Sequence, residues 1–359
     1  MIGENAYAAL WLNAVVGFES RKIARFSALG YPPERIRYET RDFVKKFAKV
    51  IDADAERELL DGLDRGQIER IAEDLDQLDM GFVVAEDFAF PERLRQIADP
   101  PACLYYRGDL ALLKSKSLAV VGTRNPTRYG KEVTENFVKA LSGLYTIVSG
   151  MARGIDAIAH REALRSGGKT IAVLGSGIDR PYPSEHVDLY HEIAERGLVV
   201  SEYGLNTGVQ QYRFPQRNRI ISGLSRGVLV TEAGEKSGSL ITAEYAVEQG
   251  KELFVVPSAV TNPRGTGTNR LLVKYPAAIT ITPDAVAEGL GDAPCTKPPA
   301  PMQLDYNEAM IREALVYREM HFEELLMLTG LGVSALTSLL TQMEMLGIIK
   351  KLDHNYYGV

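Results

Sequence analysis

Five short stretches of this chain collect glycine, serine, arginine, lysine and asparagine at close spacing. They are Gly122-Thr123-Arg124-Asn125-Pro126, Ser149-Gly150-Met151-Ala152-Arg153-Gly154-Ile155-Asp156, Gly175-Ser176-Gly177-Ile178-Asp179, Phe214-Pro215-Gln216-Arg217-Asn218-Arg219 and Glu232-Ala233-Gly234-Glu235-Lys236-Ser237-Gly238-Ser239. Glycine lets a backbone approach an oxyanion closely, and the forked arginine side chain matches phosphate geometry. Such a set suits a ligand with several phosphates. Residues 203–231 add weight, because they hold Arg213, Arg217, Arg219 and Arg226 and no acidic residue. A solvated arginine-rich loop is the plainer alternative.

The hydrophobic pattern says what must hold these stretches. From Leu118 onward the runs LAVVG, YTIVSG, TIAVLG, GLVVSE, GVLVTEA and ELFVVPS, with a shorter AAITI near Ile281, alternate with helical stretches such as 130–141, 156–166, 184–196 and 240–250. Near-continuous apolar strands separated by helices predict the α/β class: a doubly wound, Rossmann-like parallel sheet covered on both faces, over residues 81–290. Ligands of such sheets sit at the carboxyl ends of the strands, where helix N-termini offer free N–H groups and a positive dipole. Four of the five stretches stand there.

Residues 1–80 read as a small helical domain: AYAALWLNAV, then SRKIARFSAL stopped by Gly30 and Pro32-Pro33, then a charged amphipathic stretch over 42–80. Two helices joined around Gly17 resemble a SAM-like or helix-hairpin-helix unit without its tight Gly-x-Gly turn, and a structural or interaction role is the other reading. Residues 99–110 read as an extended lead-in to the sheet. Residues 291–302 contain APCTKPPAP, a proline-rich linker. Residues 303–359 give three helices and a hairpin, IIKKL and YYGV, the pattern of a winged helix. Its would-be recognition helix, 333–346, has no Lys or Arg and carries Glu344, which favours a partner or regulatory module over a DNA reader.

Composition sets the outer bounds. With 45% hydrophobic and 25% charged residues in 359, disorder is excluded, and no run of about 18 apolar residues exists to span a membrane. The start lacks a basic signal-peptide region, and two cysteines, Cys103 and Cys295, frame no disulfide scaffold, so a reducing, cytoplasmic setting is expected. The net charge of −6 hides a partition of −4 over residues 1–117, +2 over 118–289 and −4 over 303–359. Screening limits the reach of remote charges, so a local basic stripe can bind phosphate whatever the total.

Known fingerprints fail in turn. No GxGxxG follows the first strand, which ends VVGTRNP, and no GxxxxGK[ST] exists, GEKSGS only mimicking its tail. The GxSxG spelling at 223–227 precedes a strand, whereas a nucleophile elbow follows one. His160, His186, His191, His321 and His354 show no ligand spacing, and His186 and His191 read as surface helix residues. Neither cofactor, metal nor catalytic residue is expected.

The strings VGTRNPTRYG, VSGMARGIDAIAHREAL, AVLGSGIDRPYPSEH, SEYG, FPQRNRIISGLS and EAGEKSGSLITAEYAVEQGKELFVVPS, in this order, resemble the DNA-processing protein A family (DprA, also called Smf) over roughly residues 90–285. The resemblance implies a single-stranded DNA-binding recombination mediator, not an enzyme, that protects incoming strands, loads the RecA recombinase during natural transformation and forms a homodimer. Carried over by position, it implies Arg124 as a phosphate contact, with Gly122 and Thr123 presenting backbone or hydroxyl donors. Phe214 takes the place of an aromatic that stacks a base, and Arg217, Asn218 and Arg219 that of a basic element. Ser149, Gly150, Gly154, Gly175, Ser176, Ser237, Gly238 and Ser239 complete the implied pocket, and Arg153 and Lys236 lie in the same loops. Where some members carry a lysine before the aromatic this chain has Gln211, with Arg213 as the nearest cation. The structural readings are Phe214 as a core plug and Asp156 and Asp179 as helix caps. Two other classes stand beside this one. Nucleotide phosphoribohydrolases carry a PGGxGTxxE loop, where TEAGEKSGSLITAEYA offers Glu232 and Glu244 without PGG; the third class is a winged-helix regulator that senses a nucleotide.

Overall fold

The computed structural model describes residues 3–295 and 304–358. The chain divides into two units, residues 1–296 and 297–359.

In the first unit nine strands make one sheet: β1 (Gly81–Val84), β2 (Cys103–Gly108), β3 (Ser117–Val121), β4 (Thr146–Ser149), β5 (Thr170–Leu174), β6 (Leu198–Ser201), β7 (Gly227–Val230), β8 (Glu252–Val255) and β9 (Ala278–Ile279), in the order β1-β2-β6-β5-β4-β3-β7-β8-β9. Strands β3 to β9 pair parallel throughout, as the doubly wound pattern requires. Two antiparallel strands extend that sheet, β2 against β6 and β1 against β2. The stretch read as an extended lead-in supplies β2. β1 escapes the sequence reading because four residues, GFVV, do not stand out after a long helical pattern.

Along β3, Ala119 and Val121 enter one core with Ile220 and Ala243, while Leu118 and Val120 enter the other with Phe137 and Ile155. Burial on both faces is why these strands read as continuous apolar runs. The covering helices are introduced in chain order. Before the sheet come α1 (Glu4–Leu10), which runs into a π-helical turn, α2 (Ser20–Ala28), α3 (Pro33–Tyr38), α4 (Thr40–Phe47), α5 (Ala53–Asp61) and α6 (Arg65–Gln77). Within and around the sheet come α7 (Glu92–Arg95), α8 (Arg128–Leu141), α9 (Ile155–Arg165), α10 (Val187–Arg196), α11 (Arg213–Gly223), α12 (Ser239–Glu248), α13 (Thr266–Lys274) and α14 (Pro283–Gly289). The amino-terminal helices share a core with the sheet, Trp11, Phe18 and Phe43 clustering with Tyr105 and Val199, and the Tyr105 hydroxyl donates to Asn13 Oδ1 at 2.9 Å.

One finding reshapes the site: the FPQRNR stretch, read as a loop, forms the first turns of α11. Pro215 is its third residue, where the backbone N–H has no intrahelical acceptor and proline is tolerated.

In the second unit α15 (Tyr306–Tyr317), α16 (Phe322–Thr329) and α17 (Val333–Met345) accompany a small sheet of β10 (Met320–His321), β11 (Lys350–Lys351) and β12 (Tyr356–Gly358), the winged-helix arrangement. Asp305 and Glu308 close a capping box on α15, and Ile311, Leu325, Leu336, Leu340 and Tyr357 form the core. Most of the proline-rich stretch, residues 296–303, lies outside the described residues. Among the described residues no single helix is long and apolar enough to cross a membrane.

Candidate functional site

A cleft of about 1340 Å³ opens beside the carboxyl ends of β3 and β7. These neighbours are where the chain, having built the sheet outward through β4, β5 and β6, returns to build the other side. Such a switch point leaves a crevice between diverging loops, the usual ligand position in this architecture.

The loop after β3 is fixed from below. Glu232, at the end of β7 and almost fully buried, accepts from the Thr127 amide and hydroxyl at 2.7 Å each and from Asn262 Nδ2 at 3.2 Å. The Thr123 amide donates to the Glu232 carbonyl at 2.7 Å, so this amide is spent and only the hydroxyl remains a donor. Gly154 sits at φ 76°, and a Cβ there would lie 2.3 Å from the Thr123 carbonyl oxygen, so only glycine lets the two loops meet. Arg124 projects from this pinned loop, exposed and without an ion-pair partner among the described residues.

Helix α11 builds the opposite wall. Phe214, Arg217, Asn218 and Ile221 all line the cleft, and their i, i+3, i+4, i+7 spacing is one helical face. The Phe214 ring lies over Gly175, where a Cβ would stand 2.8 Å from it, and meets the Tyr182 ring at a centroid distance of 5.5 Å. Arg217 is 4% exposed. It donates to the Gly150 carbonyl at 2.8 Å and to the Val173 carbonyl, so it lays charge under the cleft and ties down β4 and β5. Burial lowers its pKa to about 10, which leaves it cationic at neutral pH. Asn218 Nδ2 donates to the Gly238 carbonyl at 3.2 Å, joining α11 to the start of α12. There Lys236, Ser237, Gly238 and Ser239 complete the rim, and the α12 dipole adds partial positive charge.

The cleft therefore brings together Gly122, Thr123, Arg124, Phe214, Arg217, Asn218, Lys236, Ser237, Gly238 and Ser239, with Gly150, Gly154 and Gly175 behind its walls. Five expected members lie elsewhere. Ser149 and Ser176 are buried and donate to the carbonyls of Val120 at 2.7 Å and Arg180 at 2.6 Å. Arg153 is exposed in a two-pronged pair with Glu185 at 2.8 and 2.6 Å. Arg213 stacks over Tyr203 at 4.7 Å and lines a separate pocket. Arg219, 1% exposed, is paired with buried Glu202.

Asp156 is the one carboxylate lining the cleft among the described residues. It accepts from the amides of Gly150 at 3.1 Å and Ala152 at 3.4 Å, both in the loop ahead of α9, so it ties that loop to the first turn and does not cap the helix, whose N-cap is Gly154; burial raises its pKa against the pull of Arg217. Asp179 accepts from the Asn206 amide at 2.9 Å, a loop-to-loop contact, and caps no helix either. His186, expected at the surface, is buried with Nδ1 2.9 Å from the Met151 carbonyl. Residue reasoning missed Tyr182, Tyr212 and Gln210 on the cleft wall. Tyr182 inside the RPYPSEH run beside Arg180, and Tyr212 just ahead of FPQRNR beside Arg213, aromatic residues interleaved with cations, were the available signal.

Fold and site define a class: a Rossmann-like protein whose switch-point cleft combines cations, amides and aromatic rings, followed by a winged helix. The profile of the DNA recombination-mediator protein A family matches residues 81–291, and that of the DprA winged-helix domain matches residues 283–353. The chain belongs to the DNA recombination-mediator protein A (DprA/Smf) family. It is 43% identical over 201 residues to the DNA processing protein DprA of Bacillus subtilis, covering 55% of this chain and 68% of that protein. The X-ray structure of DprA from Streptococcus pneumoniae matches with a TM-score of 0.67 at 31% identity, over 80% of this chain and 98% of that one. DNA processing protein A from Helicobacter pylori, solved to describe its single-stranded DNA binding mode, matches with a TM-score of 0.52 at 34% identity, over 57% of this chain and 93% of that one.

The carboxylates that the phosphoribohydrolase reading needs are not assembled at the cleft. Glu232 is buried under the loops it pins, and Glu244 accepts from Lys274 Nζ and the Tyr275 hydroxyl at 3.2 Å each.

Proposed function

We propose that this chain is a single-stranded DNA-binding recombination mediator of the cytoplasm, which protects incoming strands and loads the RecA recombinase during natural transformation. The observation that carries the reading is the make-up of the cleft: Arg124, Arg217 and Lys236 against one carboxylate that is engaged by loop amides, with Phe214, Tyr182 and Tyr212 along the same walls. Cations follow a phosphate backbone, and an aromatic face accepts any base, so binding is sequence-tolerant. Phe214→Ala is expected to cost about 1–3 kcal/mol of oligonucleotide affinity, the range for one lost base stack. The variant should still melt cooperatively, because the ring is only half-buried. An unfolded variant would restore the core-plug reading.

The homodimer belongs to this proposal, through the 271–281 stretch. Val273 is 90% exposed, and Ile279 and Ile281 beside the sheet edge are 66% and 74% exposed. Apolar side chains on an edge strand invite pairing with a second copy, and two clefts per dimer raise avidity for long strands. Light scattering at micromolar concentration should report a dimer; a monomer would remove this part.

The winged unit takes the role of a partner module. Helix α17 carries no cation, and Val333 and Met345 are 61% and 85% exposed along it. Residues 1–297 are expected to bind single strands within about threefold of the full chain at matched salt. A loss of about tenfold or more, with the dimer intact, would place the wing on DNA.

A further inference from the structure

We propose that a strand seated in the cleft continues onto the amino-terminal helices, along a second groove between α2, α4 and the start of α11. This rests on reading the cleft as the single-strand site. The front of the chain is acidic in total, yet its charge is divided. Residues 20–50 hold nine basic and three acidic groups, and residues 51–80 hold three basic and eleven acidic. Cations are thereby concentrated on α2 to α4 and carboxylates on α5 and α6.

The groove, of about 450 Å³, lies on the cationic part. Phe26, Leu29, Phe47 and Val50 give it an apolar floor, with Leu29 and Val50 63% and 59% exposed. Arg21, Lys22 and Arg25 stand on its rim. Arg21 is held by Asp99 at 2.5 Å, Lys22 lies 4.4 Å from the Phe18 ring, and Arg25 is exposed with no ion pair among the described residues. Apolar surface beside a row of cations is what a single strand uses, base faces on one and phosphates on the other.

Continuity with the cleft selects this occupant over an acidic protein segment. Gln216 closes the groove from α11, the helix whose other face gives Phe214 and Arg217 to the cleft. Tyr212, on the cleft wall, donates its hydroxyl to Glu19 Oε1 at 3.4 Å, and Glu19 lines the groove. The two surfaces thus meet at the start of one helix, and the carboxylate at their junction is already engaged.

The test compares the full-length protein with its Lys22→Glu/Arg25→Glu variant, on homothymidine strands of about 6 and about 20 nucleotides. Affinity for the longer strand is expected to fall at least about tenfold, and its log-log salt slope to become shallower by about 1.4, the share of two phosphates. Affinity for the shorter strand should match the wild type. Lys22→Gln/Arg25→Gln should shift the same way by less, with an unchanged melting temperature. Wild-type affinity and slope on the longer strand would overturn the proposal and leave the groove to an acidic protein segment. An equal fall on both lengths would overturn it as well. Failure of the cleft reading looks different: the wild type itself would then not bind the short strand.

Discussion

Exchanging Arg124 and Lys236 together for glutamate should lower single-strand affinity by about a hundredfold or more while leaving the melting temperature where it is. Both side chains are exposed on the cleft rim, and neither has an ion-pair partner among the described residues. Their removal therefore strands no carboxylate. Each substitution deletes a phosphate attraction and installs a repulsion worth about 1 kcal/mol or more at contact distance even in high dielectric. Summed over two sites, the change is on the order of 3 kcal/mol. The salt slope should also flatten by about 1.4, two phosphate contacts at about 0.7 each. Anisotropy titrations across a salt series, with a thermal melt of each protein, read both quantities. Unchanged affinity in a folded variant would show that the strand passes elsewhere.

Arg219→Ala should act on stability instead. Arg219 and Glu202 are buried together, with side chains 1% and 5% exposed. Removing the guanidinium leaves the carboxylate in the interior without its counter-charge, which costs about 3–5 kcal/mol. The pair Arg219→Met/Glu202→Leu should recover much of that loss, because apolar replacements of similar volume need no partner. Urea unfolding gives the stabilities, and titration below the transition gives affinity per folded molecule, expected to match the wild type. A variant of wild-type stability with weakened binding would return Arg219 to the cleft.

These two arginines mark how far the sequence can be read. The parallel strands were legible because burial on both faces makes each one a continuous apolar run, and the loops were legible because glycine and serine gather at strand ends. Side-chain direction on α11 was not. Pro215 disguised the helix start as a loop, and as a loop every residue of RNR was free to face the ligand. On a helix Arg217 and Arg219 are about 200° apart, so when one lines the cleft the other must point away, and it meets Glu202. Ser149 and Ser176 failed for a different reason: a small polar residue at a strand end has a neighbouring main-chain carbonyl within reach, and both hydroxyls take it. Asp156 was left open between cap and ligand, and it does not cap: from the second position of α9 it holds the Gly150 and Ala152 amides of the preceding loop at the edge of the cleft.

Single-strand binding at the cleft is tested most directly by a fluorescence titration of the full chain with single- and double-stranded oligonucleotides of equal length, at two or more salt concentrations. The expected result is preference for the single strand without dependence on its base sequence, and affinity that falls with salt at a log-log slope of about −0.7 per phosphate neutralised. Equal affinity for the duplex, or a flat salt dependence, would contradict it.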